Sequence, residues 1–137
     1  MHPHTQEKNI DWILDSGCFF HICASRKYFV SYEACNEEFI KMANNTINKV
    51  IKIGSVRFCM PNGKVSTLTR IRHVPGLRKN LISLGMLDSN GCRFSSKDGV
   101  LEVVKEDTVV LKGKRDGNLY KLEGSVKLGG ACKDLEF

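Results

Sequence analysis

The sequence predicts an all-β domain with a single short helix, and three observations carry that prediction. Over 47–72 the apolar residues recur at alternate positions, as in Ile51, Ile53 and then Val56, Phe58, Met60, which is the pattern of a half-buried strand. Pro61-Asn62-Gly63-Lys64 interrupts that pattern with the Asn-Gly of a tight hairpin, and Val65-Ser66-Thr67-Leu68-Thr69-Arg70-Ile71-Arg72 resumes it with period two. Further on, short apolar runs are separated by turn chemistry at Lys97-Asp98-Gly99, Glu106-Asp107 and Arg115-Asp116-Gly117-Asn118. At 137 residues the chain is long enough to bury a core and reads as one domain. That domain spans 10–124. Residues 1–9 are polar and expected to be a disordered extension, and 125–137, with Gly129-Gly130, a tail of little pattern.

In chain order, residues 10–14 are apolar enough for a buried strand leading into Asp15. Phe19-Phe20-His21-Ile22 reads as the strand leaving that turn. Tyr28-Phe29-Val30 and Phe39-Ile40-Lys41-Met42 are further short strands, with Asn44-Asn45 a turn after the second. The long alternation over 47–72 is expected to break around Gly54-Ser55. Residues 81–87 give the one helix, with apolar i, i+3, i+4 relations, Asn80 as cap and Asn90-Gly91 as its close. Strands are then expected at 92–94, 100–104, 109–111 and 119–122.

Hydrophobic residues at 42% and charged residues at 26% are globular values, and no apolar stretch approaches a membrane span. The N-terminus lacks the apolar core of a secretion signal. Twenty-one Lys and Arg against fifteen Asp and Glu give a formal charge of +6, but the basic residues are scattered, so nucleic acid is not expected as the primary partner. The six cysteines, without a secretion signal, read as reduced thiols of a cytoplasmic chain. Cys18-x2-His21-x-Cys23 gathers soft ligands but lacks a second pair at zinc-site spacing, so neither a metal nor another cofactor is expected.

Asp15-Ser16-Gly17 is the candidate for chemistry. A carboxylate can do acid–base work, a hydroxyl can brace a turn, and a glycine lets the backbone fold tightly beside the carboxyl group, as in the active-site turn of aspartic proteases. The alternative is a strand-terminal Asp that caps a turn. No Ser-His-Asp grouping and no glycine-rich phosphate loop stands out. Cys18 or Cys23 with His21 lie too near in sequence to make a thiol nucleophile and its base, and His73 reads as a loop or core histidine.

The wider run Trp12-Ile13-Leu14-Asp15-Ser16-Gly17-Cys18-x-x-His21 resembles the protease segment of copia-type long-terminal-repeat retrotransposons. Ile53-Gly54-Ser55-Val56, Leu68-Thr69-x-Ile71-Arg72-His73-Val74-Pro75-Gly76-Leu77, Lys79-Asn80-Leu81-Ile82-Ser83-Leu84-Gly85 and Asn118-Leu119-Tyr120-x-Leu122-x-Gly124 fit the same family in the same order, so the resemblance covers about 11–124. It implies a retropepsin-like closed β-barrel with one short helix. It assigns Asp15 as the catalytic carboxylate, with Ser16 and Gly17 shaping its turn. Ile53, Gly54 and Ser55 would form a flap over substrate. Val74, Pro75 and Gly76 would fill an apolar-apolar-glycine site under the turn. A single Asp15 per chain requires a second copy, so the resemblance implies a homodimer acting on extended, mainly apolar sites of its own Gag-Pol polyprotein, in the cytoplasm or in virus-like particles. Phe19, Lys52 and Ala43 depart from the family pattern, the first beside the turn and the others where glycines are usual. The start at Met1 and the stop soon after 124 read as a stand-alone reading frame. Two readings follow: an aspartic protease, or an inactive β-barrel remnant, including one co-opted to bind protein or nucleic acid.

Overall fold

The computed structural model describes residues 11–128 and 135–137. The expected extension at 1–9 and part of the expected tail, 129–134, lie outside the described residues.

β1 (Trp12–Asp15) is central, and β2 (Ile22–Cys23) and a 3₁₀ turn (Arg26–Tyr28) lead to β3 (Phe29–Glu33). β4 (Glu38–Lys41) and β5 (Ile47–Val50) form a hairpin, and β6 (Lys52–Cys59) and β7 (Val65–His73) a longer one. β8 (Asn80–Ser83) runs into α1 (Leu84–Ser89). β9 (Arg93–Lys97), β10 (Val100–Lys105), β11 (Thr108–Asp116) and β12 (Leu119–Leu122) make a meander, followed by β13 (Ser125–Val126) and β14 (Leu135–Glu136).

The main sheet runs β13-β6-β7-β2-β8-β1-β12-β11-β10-β9, with β3 added to β6 and β14 to β7. At its middle, β1 pairs parallel with β8, Ile13 opposite Leu81 and Asp15 opposite Ser83. Such a pair needs a long crossover, here residues 16–79, and its place inside the sheet explains why both strands are buried on both faces. Trp12, Ile13 and Leu14 are all buried, and so are Leu81, Ile82 and Ser83.

The sheet curls, so that β6 and β7 face β10 and β11 across one core. Trp12 meets Phe58 edge-on with ring centroids 4.9 Å apart, and Leu68, Ile71, Val103, Val110 and Leu111 pack in the same cluster. The Ser66 hydroxyl crosses this core to donate to the Val110 carbonyl at 2.8 Å. On the opposite face Ile13, Ile22, Val74 and Leu81 form a second cluster with Ile40 and Val50, which seats the β4–β5 hairpin.

The expected closed barrel is corrected here. Among the described residues the sheet's outer strands, β9 and β13, do not pair, so the ladder of hydrogen bonds does not close on itself. All five β9 residues are exposed, and β13 has only two residues with which to extend a ladder.

Other expectations shift for identifiable reasons. The Asn-Gly hairpin forms as read, with Gly63 at φ 85° and Cys59 opposite Val65. The break at Gly54-Ser55 is instead a register shift within a continuous β6, and Arg70 takes a left-handed φ of 59° on β7 facing that bulge. The expected strand at 19–22 shortens to β2. The helix starts later than expected: 80–83 is strand, and Ser83 caps α1 by accepting from the Met86 N–H at 3.2 Å. Asn80 is buried and accepts from the Ala24 N–H at 2.8 Å. Short buried apolar runs do not reveal their period, and only the distant partner β1 decides this one. Within the expected tail, Val126 pairs with Phe58, and Phe137 is buried in the main core with its N–H donating to the Thr67 carbonyl at 2.9 Å.

Candidate functional site

The turn 15–17 is held from several sides. Asp15 ends β1, and one of its carboxylate oxygens accepts from the Gly17 N–H at 2.7 Å. A Cβ on Gly17 would stand 3.3 Å from that oxygen, so a larger residue would press on the carboxylate. The Ser16 side chain is exposed and bonds to none of the described residues. The bracing hydroxyl belongs to Ser83, which donates to the Cys18 carbonyl at 2.8 Å while capping α1. The Ser83 N–H in turn donates to Nδ1 of His21 at 2.9 Å, which fixes the ring proton on Nε2. His21 is 1% exposed, and Nε2 has no partner among the described residues. Burial, with the nearby Arg72 charge, lowers the His21 pKa to about 4, so the ring is neutral at physiological pH.

The thiols near the turn are held in their protonated form. Burial and then the Asp15 charge push Cys18 up to about 11, and burial pushes Cys23 up to about 12, so both are protonated at neutral pH. No group of three or more His, Cys, Asp or Glu side chains gathers to hold a metal among the described residues.

Asp15 opens on a cleft of about 490 Å³. Its roof is the β4–β5 hairpin, which contributes Met42, Asn44, Thr46 and Asn48. The loop 76–79 and Leu81 complete the walls. The roof's tip is tied to itself. Asn44 accepts from the Thr46 N–H at 3.1 Å and the Thr46 hydroxyl at 2.6 Å, and Asn45 stands at φ 67°. The roof's base is tied to the sheet by the Arg72–Glu38 ion pair and by Ile40 and Val50. The Arg72 guanidinium also lies 3.8 Å from the Phe20 ring centroid.

The residues singled out from the sequence therefore do not all meet. Asp15, Ser16 and Gly17 form one turn, and Gly76, at φ 88°, reaches the cleft beside Asp15. Ile53, Gly54 and Ser55 do not cover it. They lie inside the sheet on β6, with Gly54 between Tyr32 and Ile71, and a Cβ there would come 1.9 Å from the Ser31 carbonyl oxygen. Val74 is fully buried and Pro75 exposed, and the strand beside the turn is β8. Lys52 opposes His73 on β7, and Ala43 sits at the hairpin tip. Phe19 is 85% exposed and lines a separate concavity with Arg70 and Met86 on the other side of the turn. The roof residues were missed, although the Asn44-Asn45 turn between two strand candidates was the signal for them. Ser83 and His21 left no local signal, because their roles depend on contacts across more than sixty residues.

Comparison with known proteins adds two findings. The model of the family described as "Pol polyprotein, beta-barrel domain" matches residues 12–92. The retrovirus-related Pol polyprotein from transposon TNT 1-94 of Nicotiana tabacum is 29% identical over 126 residues, 92% of this chain. The chain spans about a tenth of that relative's length, 10%. No solved structure matches this chain.

Proposed function

This chain belongs to the Pol polyprotein β-barrel domain family, as a copia-type retrotransposon domain, and we propose that it is one half of a retropepsin-like aspartic protease that cleaves its own Gag-Pol polyprotein as a homodimer. The observation that carries this reading is the turn itself: a carboxylate at a strand end, held by the Gly17 N–H and facing a cleft of about 490 Å³ beneath the β4–β5 hairpin. One carboxylate cannot be base and acid at once. Two copies would bring two Asp15 side chains together about a two-fold axis, where one ionised group activates water and the other, protonated, polarises the scissile carbonyl. Two close carboxylates sharing one proton is the general account of aspartic proteases, and their titration belongs to the pair. In this reading the β4–β5 hairpin serves as the flap, the role first expected of 53–55.

The second reading, a non-catalytic remnant or a co-opted binding domain, is favoured by Phe19, whose ring stands almost fully exposed beside the turn. A Gag-Pol junction peptide separates the two. Wild-type protein is expected to cleave it, and Asp15→Asn to lose at least about a thousandfold in rate, within the range for a general acid–base group. Equal turnover by both proteins, or none by wild type at concentrations where sedimentation shows a dimer, would leave the remnant reading standing.

A further inference from the structure

Taking the cleft beside Asp15 as the peptide site, as proposed above, we infer that it selects peptides carrying a carboxylate side chain close to an apolar one. The cleft has an apolar part made by Met42 on the roof and by Leu77 and Leu81 opposite. Beside these stand Arg78 and Lys79, which line the same cleft. Neither forms an ion pair or a side-chain hydrogen bond with any described residue. Ion pairs elsewhere join Arg72 to Glu38, Arg93 to Asp107, Lys112 to Glu102, and Lys121 to Asp11 and Asp116, whereas Arg78 and Lys79 share the wall of one cleft.

The cleft's own carboxylate, Asp15, forms no ion pair with either cation. Asp15 already accepts the Gly17 N–H, and the remaining polar lining is neutral, from Asn44, Thr46 and Asn48. Asn44 and Thr46 are bonded to each other, and the two cations are the positively charged groups that the cleft offers a ligand. A mainly apolar peptide, the expectation from the resemblance, would lie against both without supplying a counter-charge unless it carried an acid. An acidic side chain supplies it; both cations are exposed, so the attraction expected is that of two surface ion pairs acting together. Side chains of an extended peptide alternate between faces, so an acidic residue one or two places from the apolar anchor can reach one of these cations. In a two-fold dimer the same subsite recurs on each side of the scissile bond, so the preference for acid recurs as well.

Asp15→Asn protein, which binds without turnover, tests recognition apart from catalysis. The probes are two fluorescein-labelled octapeptides with a central Leu-Leu, one flanked by Glu and the other by Gln, followed by anisotropy at low salt. The Glu peptide is expected to bind about fivefold more tightly, the combined effect of two partly exposed ion pairs, and Arg78→Gln with Lys79→Gln is expected to abolish the difference. Equal affinities, binding of neither peptide, or a preference that survives the double substitution would overturn this inference. Loss of the protease reading shows elsewhere, in the absence of Asp15-dependent cleavage by wild type.

Discussion

The turn beneath the cleft and the hairpin above it differ in what holds them. The turn leaves a strand paired on both sides, β8 on one edge and β12 on the other, and is fixed further by Ser83 and His21 from distant parts of the chain. The hairpin pairs only with itself, as a separate two-stranded sheet. Its attachments include the Arg72–Glu38 pair and the buried Ile40 and Val50 side chains, and Phe39 and Ile47 on its outer face are exposed. An isolated two-stranded hairpin is at best marginally stable, so the roof depends on those few attachments while the floor shares the stability of the whole core. The chain thus places Asp15 on a strand paired along both edges and the hairpin above it on a separate two-stranded sheet, the arrangement that the proposed protease reading would use to admit a peptide.

The comparison can be broken most directly at the floor. Ile82 is fully buried beside Leu14, and Ile82→Ala is expected to cost about 3–4 kcal/mol of global stability, read as a lower urea midpoint with unchanged slope. A loss under about 1 kcal/mol would mean that β8 is not part of the central core.

Acid should also act on the floor. The folded His21 pKa lies near 4, below the ordinary value of 6.5, so the unfolded chain takes up a proton that the native turn refuses. Its contribution is fully present above about pH 6.5 and fades as pH falls toward 4, reaching about 2–3 kcal/mol. Burial lowers the His73 pKa too, in the same sense, with Tyr32 donating to its Nδ1. Urea midpoints of wild type and His21→Asn between pH 7 and pH 4 should converge at low pH. Parallel curves would show that His21 does not carry the effect.

The smallest expected effect is at the roof. Glu38→Gln removes a partly buried ion pair and is expected to cost about 1 kcal/mol globally. Its larger consequence is local: amide exchange should accelerate in 38–50 and stay unchanged in β1 and β8. Uniform acceleration would show that roof and floor open together.

What could be read from the sequence was what neighbouring residues decide. The Asp15-Ser16-Gly17 turn, the Asn62-Gly63 hairpin and the meander after 92 carry their geometry in two to four adjacent residues. The start of α1 and the role of 53–55 do not. Leu81 and Ile82 are equally good in a helix or a buried strand, and β1, some seventy residues earlier, selects the strand. The family resemblance assigns Gly54 to a flap, whereas its missing Cβ makes room for the Ser31 carbonyl. The open curl was illegible for the same reason, because no local signal says whether β9 and β13 will meet.

The parallel pairing of β1 with β8 also sets a schedule for synthesis. Asp15 leaves the ribosome long before Ser83, and at typical elongation rates of about 5–20 residues per second the interval is roughly 3–14 s. Until then the carboxylate sits on an unbraced segment, and the core also awaits Phe137. A nascent chain bearing this domain therefore has a built-in delay between translating its acidic group and assembling the site around it.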